Sequence, residues 1–457
     1  MSTDLHAAPA AAADLRSVPR APGRIPLLGH AWPLWRRPLD FLRALPATGD
    51  LVRVDLGTMP VYFATSPSLV HELLVVRARE FDKGRFFDRA RVLVGDGLFT
   101  AGEEVHRRHR RLMQPMFHRD RIAAYVDTMS VRARALADSW QPGQTVSLTE
   151  DIYTYAVGTL SETMFSTDID KATSDAIHRE VPILIKYALV RAVAPTAFDR
   201  IPVKANREFD RATERVLGII DDLIAAAHAR GPAEGGDLLS TLLAARDADT
   251  GESLTDREVR DESVAIMFAG TETAATALSW LFHEIGRAPE VEERLCAEID
   301  AVVGDGPVGM AELAKLPYLN QVMDEVFRLH AVPLLMRRAI RDVEFAGFRL
   351  PAGTEIGFSL YAMHQDGRVH DDPLRFDPDR WSPENRATRP RETHIPFGAG
   401  VRKCIGDTYA RTEIAVAVAT ILSRWRLRPE PGVTVREVAA AVAHPDRLPM
   451  IVEPRTR

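Results

Sequence analysis

The ten residues Phe397-Gly398-Ala399-Gly400-Val401-Arg402-Lys403-Cys404-Ile405-Gly406 constrain this chain more than any other stretch. They set one cysteine in a glycine-bracketed loop, directly ahead of an apolar stretch of helical character at 408–425. A loop entering a helix N-terminus offers backbone N–H groups and the positive end of the helix dipole, and both favour a thiolate. Gly400 and Gly406 let the backbone approach a flat partner and turn without a Cβ clash. Arg402 adds a cation two residues before the sulfur. Five fixed positions, F-x-x-G-x-R-x-C-x-G, match by chance in a chain this long with a probability on the order of 10⁻⁴. A merely structural cysteine is the weaker explanation of Cys404.

Composition narrows the remaining choices. The formal net charge is −6, which removes any global electrostatic case for nucleic-acid binding. No apolar run approaches the roughly 18–20 residues of a membrane span. The Ala/Pro-rich residues 1–20 lack the basic-then-apolar order of a signal peptide. A disordered tail over 1–20, one domain over 21–457 and a cytoplasmic location are expected. The second cysteine, Cys296, sits among apolar residues at helical spacing and reads as core. With two cysteines there is neither a disulfide framework nor a C-x-x-C zinc pair.

The pattern predicts a mainly α chain with small β-sheets, an α+β arrangement with strands near both ends. Strands are expected at 51–56 and 61–64, within 339–360, near 433–435 and at 449–452. Helices dominate 66–329, interrupted by a loop at 231–236, and a long loop runs from 366 to 400. The longest periodic stretch, 256–286, opens on a Thr255-x-x-Glu258 capping box and reads as a central buried helix. At its middle stands Ala269-Gly270-Thr271-Glu272-Thr273. Glycine costs about 1 kcal/mol against alanine there, and threonines compete for the i−4 carbonyl. Such local weakness often marks function, with a kinked core helix the equal alternative on this stretch alone. Glu325-Val-Phe-Arg328 places an acid and a base on one face of an apolar helix at 318–329, where a buried pair needs a further partner.

The cysteine loop resembles the haem-ligand loop of the cytochrome P450 family, and the pentad resembles its oxygen-binding groove. The likeness runs from about residue 22 to 454 with the motifs in family order. It implies haem b with Cys404 as the axial iron ligand, framed by Phe397, Gly398, Gly406 and Ala269. It implies Thr273 and Glu272 in hydrogen bonding and proton delivery at dioxygen, with Gly270 leaving room for it. His106, Arg110, Arg337 and Arg402 would meet the haem propionates; Arg338 competes with Arg337 for that role. Glu325, Arg328 and Arg380 would form a structural triad. Ala331 stands where many relatives carry proline. The fold implies Phe86, Phe87, Leu98, Ile183, Val190, Ala265, Phe268, Val332 and Leu335 as substrate-facing.

The implied reaction inserts one atom of O2 into a C–H bond of a hydrophobic small molecule. A terpenoid is favoured over a polyketide or fatty acid. Electrons would come from NAD(P)H through a ferredoxin and its reductase, docking on a basic face near Lys403. A peroxide-driven peroxygenase and a non-enzymatic haem sensor are the rival expectations; retention of Glu272 and Thr273 favours the oxygen route.

Overall fold

The computed structural model describes residues 13–166, 170–193, 199, 201–230, 237–246, 251–304 and 306–455; the expected 231–236 loop lies outside them. The central helix, Asp256–Arg287, starts on the expected box: Thr255 Oγ1 accepts the Glu258 N–H, and Glu258 Oε2 accepts the Thr255 N–H at 2.8 Å. Its 32 residues span about 48 Å. Among the described residues it is the one helix long and apolar enough to cross a membrane, although the sequence pattern suggested none. Its residues are spent in the core instead: Val264, Leu278, Leu281 and Phe282 are all buried.

The Leu148–Phe165 helix packs along it, and Gly270 sits at the contact. A Cβ at Gly270 would lie 2.9 Å from the Leu160 side chain. Gly270 therefore permits close packing of the two helices. The Asp407–Leu422 helix follows the cysteine loop and is buried along most of its length.

A five-stranded mixed sheet flanks the helices in the order Leu51–Leu56, Met59–Ala64, Glu355–Phe358, Leu335–Ala339, Phe81–Lys83. The second and third strands are parallel and the other pairs antiparallel. Its last pair aligns Lys83 with Arg337. Three expectations fail at the ends of the chain. Residues 433–435 are loop, and the strand there is Glu437–Ala439. The last helix stops at Leu422, because Trp425–Pro429 pairs with Pro449–Pro454. Residues 13–20 are ordered: Ala13 bridges Phe348, Arg20 bridges Arg53, and Val18 is 4% exposed within the core beneath the mixed sheet.

A buried ionic network ties the central helix to the outer elements. His330 stacks on Trp280 at 4.0 Å and lies 3.1 Å from Glu284 and 3.1 Å from Glu437. Tyr361 donates to the second Glu437 oxygen at 2.7 Å. Burial alone lowers the His330 pKa, but the two carboxylates outweigh it and hold it above the ordinary value. The folded protein thus holds the imidazolium proton more tightly than the unfolded chain does. Its stabilisation is complete below the unfolded histidine pKa and is lost as pH rises through the raised folded one. We expect wild type to exceed His330→Gln by about 2 kcal/mol at pH 6, the scale of charge-assisted hydrogen bonds. The gap should close towards pH 9 in urea unfolding followed by circular dichroism. A pH-independent gap would show that stacking, not charge, holds His330.

Candidate active site

The cysteine loop folds on its own main chain. The Cys404 N–H donates to the Phe397 carbonyl at 2.9 Å, Gly398 N–H to Ile395 at 2.8 Å, and Lys403 N–H to Gly400 at 3.1 Å. Gly400 has φ +69°, and a Cβ there would run into the Leu74 carbonyl. Gly406 has φ −91° and open neighbours, so the turn itself does not demand glycine at that position. Arg110 donates to the Lys403 carbonyl at 2.5 Å, fastening the loop to the Glu103–Met113 helix. Cys404 is exposed, whereas Cys296 is buried as expected. Phe397 meets Phe327 edge-on at 5.4 Å beneath the Arg411 guanidinium.

On the central helix, Ala269 and Thr273 are the exposed positions between 259 and 285, one turn apart on one face. Thr273 Oγ1 donates to the Ala269 carbonyl at 2.7 Å, so its lone pairs remain available. Glu272, half-buried, turns towards Tyr153 and His444; burial pushes its carboxyl up, partly offset by His444. The Tyr153 hydroxyl is buried without a hydrogen-bond partner among the described residues, and its ring stacks on His178 at 4.1 Å.

A third group consists of cations. Lys83 and Arg337 stand opposite each other across the sheet edge, where like charges destabilise the pairing. Arg337 is 8% exposed and its guanidinium donates to the Met336 carbonyl. No carboxylate lies within ion-pair distance of either Lys83 or Arg337 among the described residues. The neighbouring Arg338 is instead paired with Glu355 at 2.6 Å and Asp88 at 2.8 Å. Adjacent strand residues face opposite ways, so Arg337 alone of the two points inward with Lys83. Arg402 donates to Asp82 and to the Ala101 carbonyl, each at 2.8 Å. Burial, then Arg402 and Lys83, push His106 down to about 3, leaving a neutral imidazole with one N–H to donate. Burial lowers Lys83 well below its usual range, with Arg337 and Arg402 adding repulsion. Arg337 is pushed down to about 10 by burial and Arg402. Arg402 also meets Glu103 at 3.4 Å. This excess of cations over two carboxylates, both on Arg402, beside an exposed thiol, matches a group with two carboxylates and a thiol-binding metal. The donor set fits haem.

Comparison with known proteins agrees. The cytochrome P450 family model matches residues 19–448. The chain belongs to the cytochrome P450 family. It is 43% identical to a cyclooctat-9-en-7-ol 5-monooxygenase of Streptomyces melanosporofaciens, over 95% of each chain. It is 38% identical to a pentalenene oxygenase of Streptomyces avermitilis, over 95% of this chain and 97% of that one. A cytochrome P450DA heme domain superposes with a TM-score of 0.86 at 25% identity, covering 98% of this chain and 99% of that one. This cytochrome P450 is a haem-dependent monooxygenase that takes O2 and a hydrophobic substrate.

The remaining sequence-derived residues divide by exposure. Phe86, Leu98, Ile183, Phe268, Val332 and Leu335 are half-buried. Leu335 packs into the core beneath the mixed sheet. Phe87 is 2% exposed, wedged edge-on between Phe86 and Phe99 at 5.2 Å from each, and Ala265 is 5% exposed, so neither presents a surface to a ligand. The Val190 side chain lies outside the described residues. Arg108, expected on the solvated surface, is ion-paired to Glu258 at 2.7 Å. Sequence reading missed Lys83. It is one of six lysines in an arginine-rich chain, and that rarity was the available signal.

Proposed function

We propose that this cytochrome P450 hydroxylates a cyclic terpenoid in the cytoplasm, with Cys404 as the residue that would ligate the iron of haem b. The Thr273–Ala269 pair carries the catalytic reading: they are the exposed positions between 259 and 285 of the central helix, with the hydroxyl tethered and its acceptor sites free. The names of the relatives and the apolar character of Phe86, Leu98, Ile183, Phe268 and Val332 support a terpenoid. Haem, when bound, supplies the activation of dioxygen. Lys83, Arg337, Arg402, Arg110 and the neutral His106 would hold the propionates, and Phe397, Gly398 and Gly406 would frame the sulfur. Thr273 holds a proton-bearing group at the reaction side, and Glu272, with its raised pKa, passes protons inward from the Tyr153 side. The half-buried aromatics orient the substrate and exclude water.

Electrons reach the site from NAD(P)H through a ferredoxin and its reductase in this reading. Val75, Val76 and Val401 are exposed beside the cysteine loop, and Lys403 and Arg107 add positive charge. An acidic carrier suits such a face. Displacement of iron-bound water by cyclic terpenes, followed by product analysis with a ferredoxin system, tests the proposal. Fatty acids shifting the spectrum while every cyclic terpene fails would overturn the substrate class.

Thr273→Ala separates the oxygen route from a peroxygenase. Product formed per electron should fall about tenfold or more while peroxide release rises. Unchanged coupling would remove Thr273 from that role.

A further inference from the structure

The segment from Ile25 to Arg37 carries a surface that the monooxygenase chemistry does not use. Ile25 and Gly29 exchange main-chain hydrogen bonds at 2.8 Å, closing a tight turn whose tip is Pro26-Leu27-Leu28. Leu27 is 92% exposed and Leu28 51%. Leu27 also sits at φ +65°, a region that side-chain-bearing residues disfavour. The turn is anchored from behind. Buried His30 accepts the Asp55 N–H at Nδ1 and donates from Nε2 to the Ala21 carbonyl at 2.8 Å. The next element, Ala31–Arg36, leaves Trp32 52% and Trp35 64% exposed while Leu34 packs inward. Two leucines and two tryptophans thus project from one rigid, anchored stretch.

The charge around them runs against that of the chain. Residues 19–40 contain four arginines and one aspartate, on a protein of net charge −6. Asp55 is shared by Arg20, Arg24 and Arg53, at 3.1, 3.3 and 2.7 Å. Arg36 and Arg37 are exposed beside Trp35.

We propose that this turn and helix dock the protein reversibly on an anionic phospholipid surface. Tryptophan at an interface, leucine below it and arginine towards the headgroups is the division that a bilayer boundary selects. A second copy of the chain fits less well, because a two-fold contact sets each patch on itself and arginine against arginine. A projecting tip also suits a deformable layer better than a preformed cleft. The docking has a use that rests on the apolar-substrate reading. Leu34 and Phe41 share a hydrophobic cluster with Phe86 and Leu334, which connects the patch to the substrate side. The vesicle experiment below tests docking alone, so its failure leaves the substrate reading standing.

Holoprotein is floated with vesicles of phosphatidylcholine, with or without about one-third phosphatidylglycerol, at low and at physiological salt. Wild type is expected to float with the anionic vesicles, less with neutral ones and less as salt rises. The Leu27→Ser/Trp35→Ser variant should partition about tenfold more weakly, with an unchanged circular dichroism spectrum. Arg36→Gln/Arg37→Gln should lose the preference for anionic lipid while keeping residual binding. Absence of wild-type flotation, or equal flotation of the Leu27→Ser/Trp35→Ser variant, overturns the proposal. So does a dimer in sedimentation that the same variant abolishes without any vesicle binding.

Discussion

Cys404→His is expected to abolish the strongly red-shifted Soret band of the dithionite-reduced, carbon monoxide-bound protein and to reduce oxygenation to background. Main-chain bonds from Cys404 to Phe397, from Gly398 to Ile395 and from Lys403 to Gly400 set the path of the cysteine loop, and none of them involves the sulfur. Arg110 fastens the Lys403 carbonyl from the neighbouring helix. The Gly406 N–H does meet the sulfur, so the substitution changes the ligand and that one contact while the main-chain bonds that set the loop's path remain. Imidazole is neutral and withdraws the electron donation through which a thiolate favours O–O cleavage. The variant should keep haem, because the cations at Lys83, Arg337 and Arg402 remain, and show a histidine-like spectrum. Retention of the red-shifted band would move the ligand away from Cys404. A wild-type spectrum already resembling histidine ligation would overturn the ligand assignment altogether.

What could be read from the sequence was local. The cysteine loop, the Thr255–Glu258 box and the Glu325–Arg328 spacing are all set within ten residues, and local rules describe them well. The features that escaped depend on partners far along the chain. The close approach of Gly270 to Leu160 is one of them, because nothing near the glycine in sequence mentions that leucine. Residues 13–20 looked like an unpatterned tail, yet their order comes from bridges to Phe348 and Arg53. The choice between Arg337 and Arg338 needed the strand's alternation and the carboxylates of Glu355 and Asp88. Lys83 gained meaning only through the register that sets it opposite Arg337. Trp381 joins Glu325 through its indole N–H at 2.9 Å, an extension of the triad that no spacing rule supplies.

That triad gives the second large effect: Glu325→Gln should cost about 3–5 kcal/mol, the range for breaking a buried ion pair from one side. Arg328 and Glu325 are both fully buried, and Arg328 binds the two carboxylate oxygens through Nη2 and Nε at 2.8 Å each. Arg380 Nε donates to the same carboxylate at 3.3 Å, and the Asp377 N–H donates to it at 3.0 Å. An amide of equal size keeps the shape but removes the charge that two buried guanidiniums face. A loss of this size is a large part of a typical folding free energy of about 5–15 kcal/mol. The expected result is a lower urea midpoint by circular dichroism and less haem absorbance per protein. Replacing the pair together, as Glu325→Leu/Arg328→Met, should not restore wild-type stability. Arg328 also donates to the carbonyls of His364 at 2.8 Å, Pro373 at 2.6 Å and Arg375 at 3.2 Å. Those oxygens, and Arg380, would be left without their partner. A Glu325→Gln midpoint indistinguishable from wild type would mean that the carbonyl contacts, rather than the ion pair, hold the loop that carries Arg380 against the Pro317–Leu329 helix.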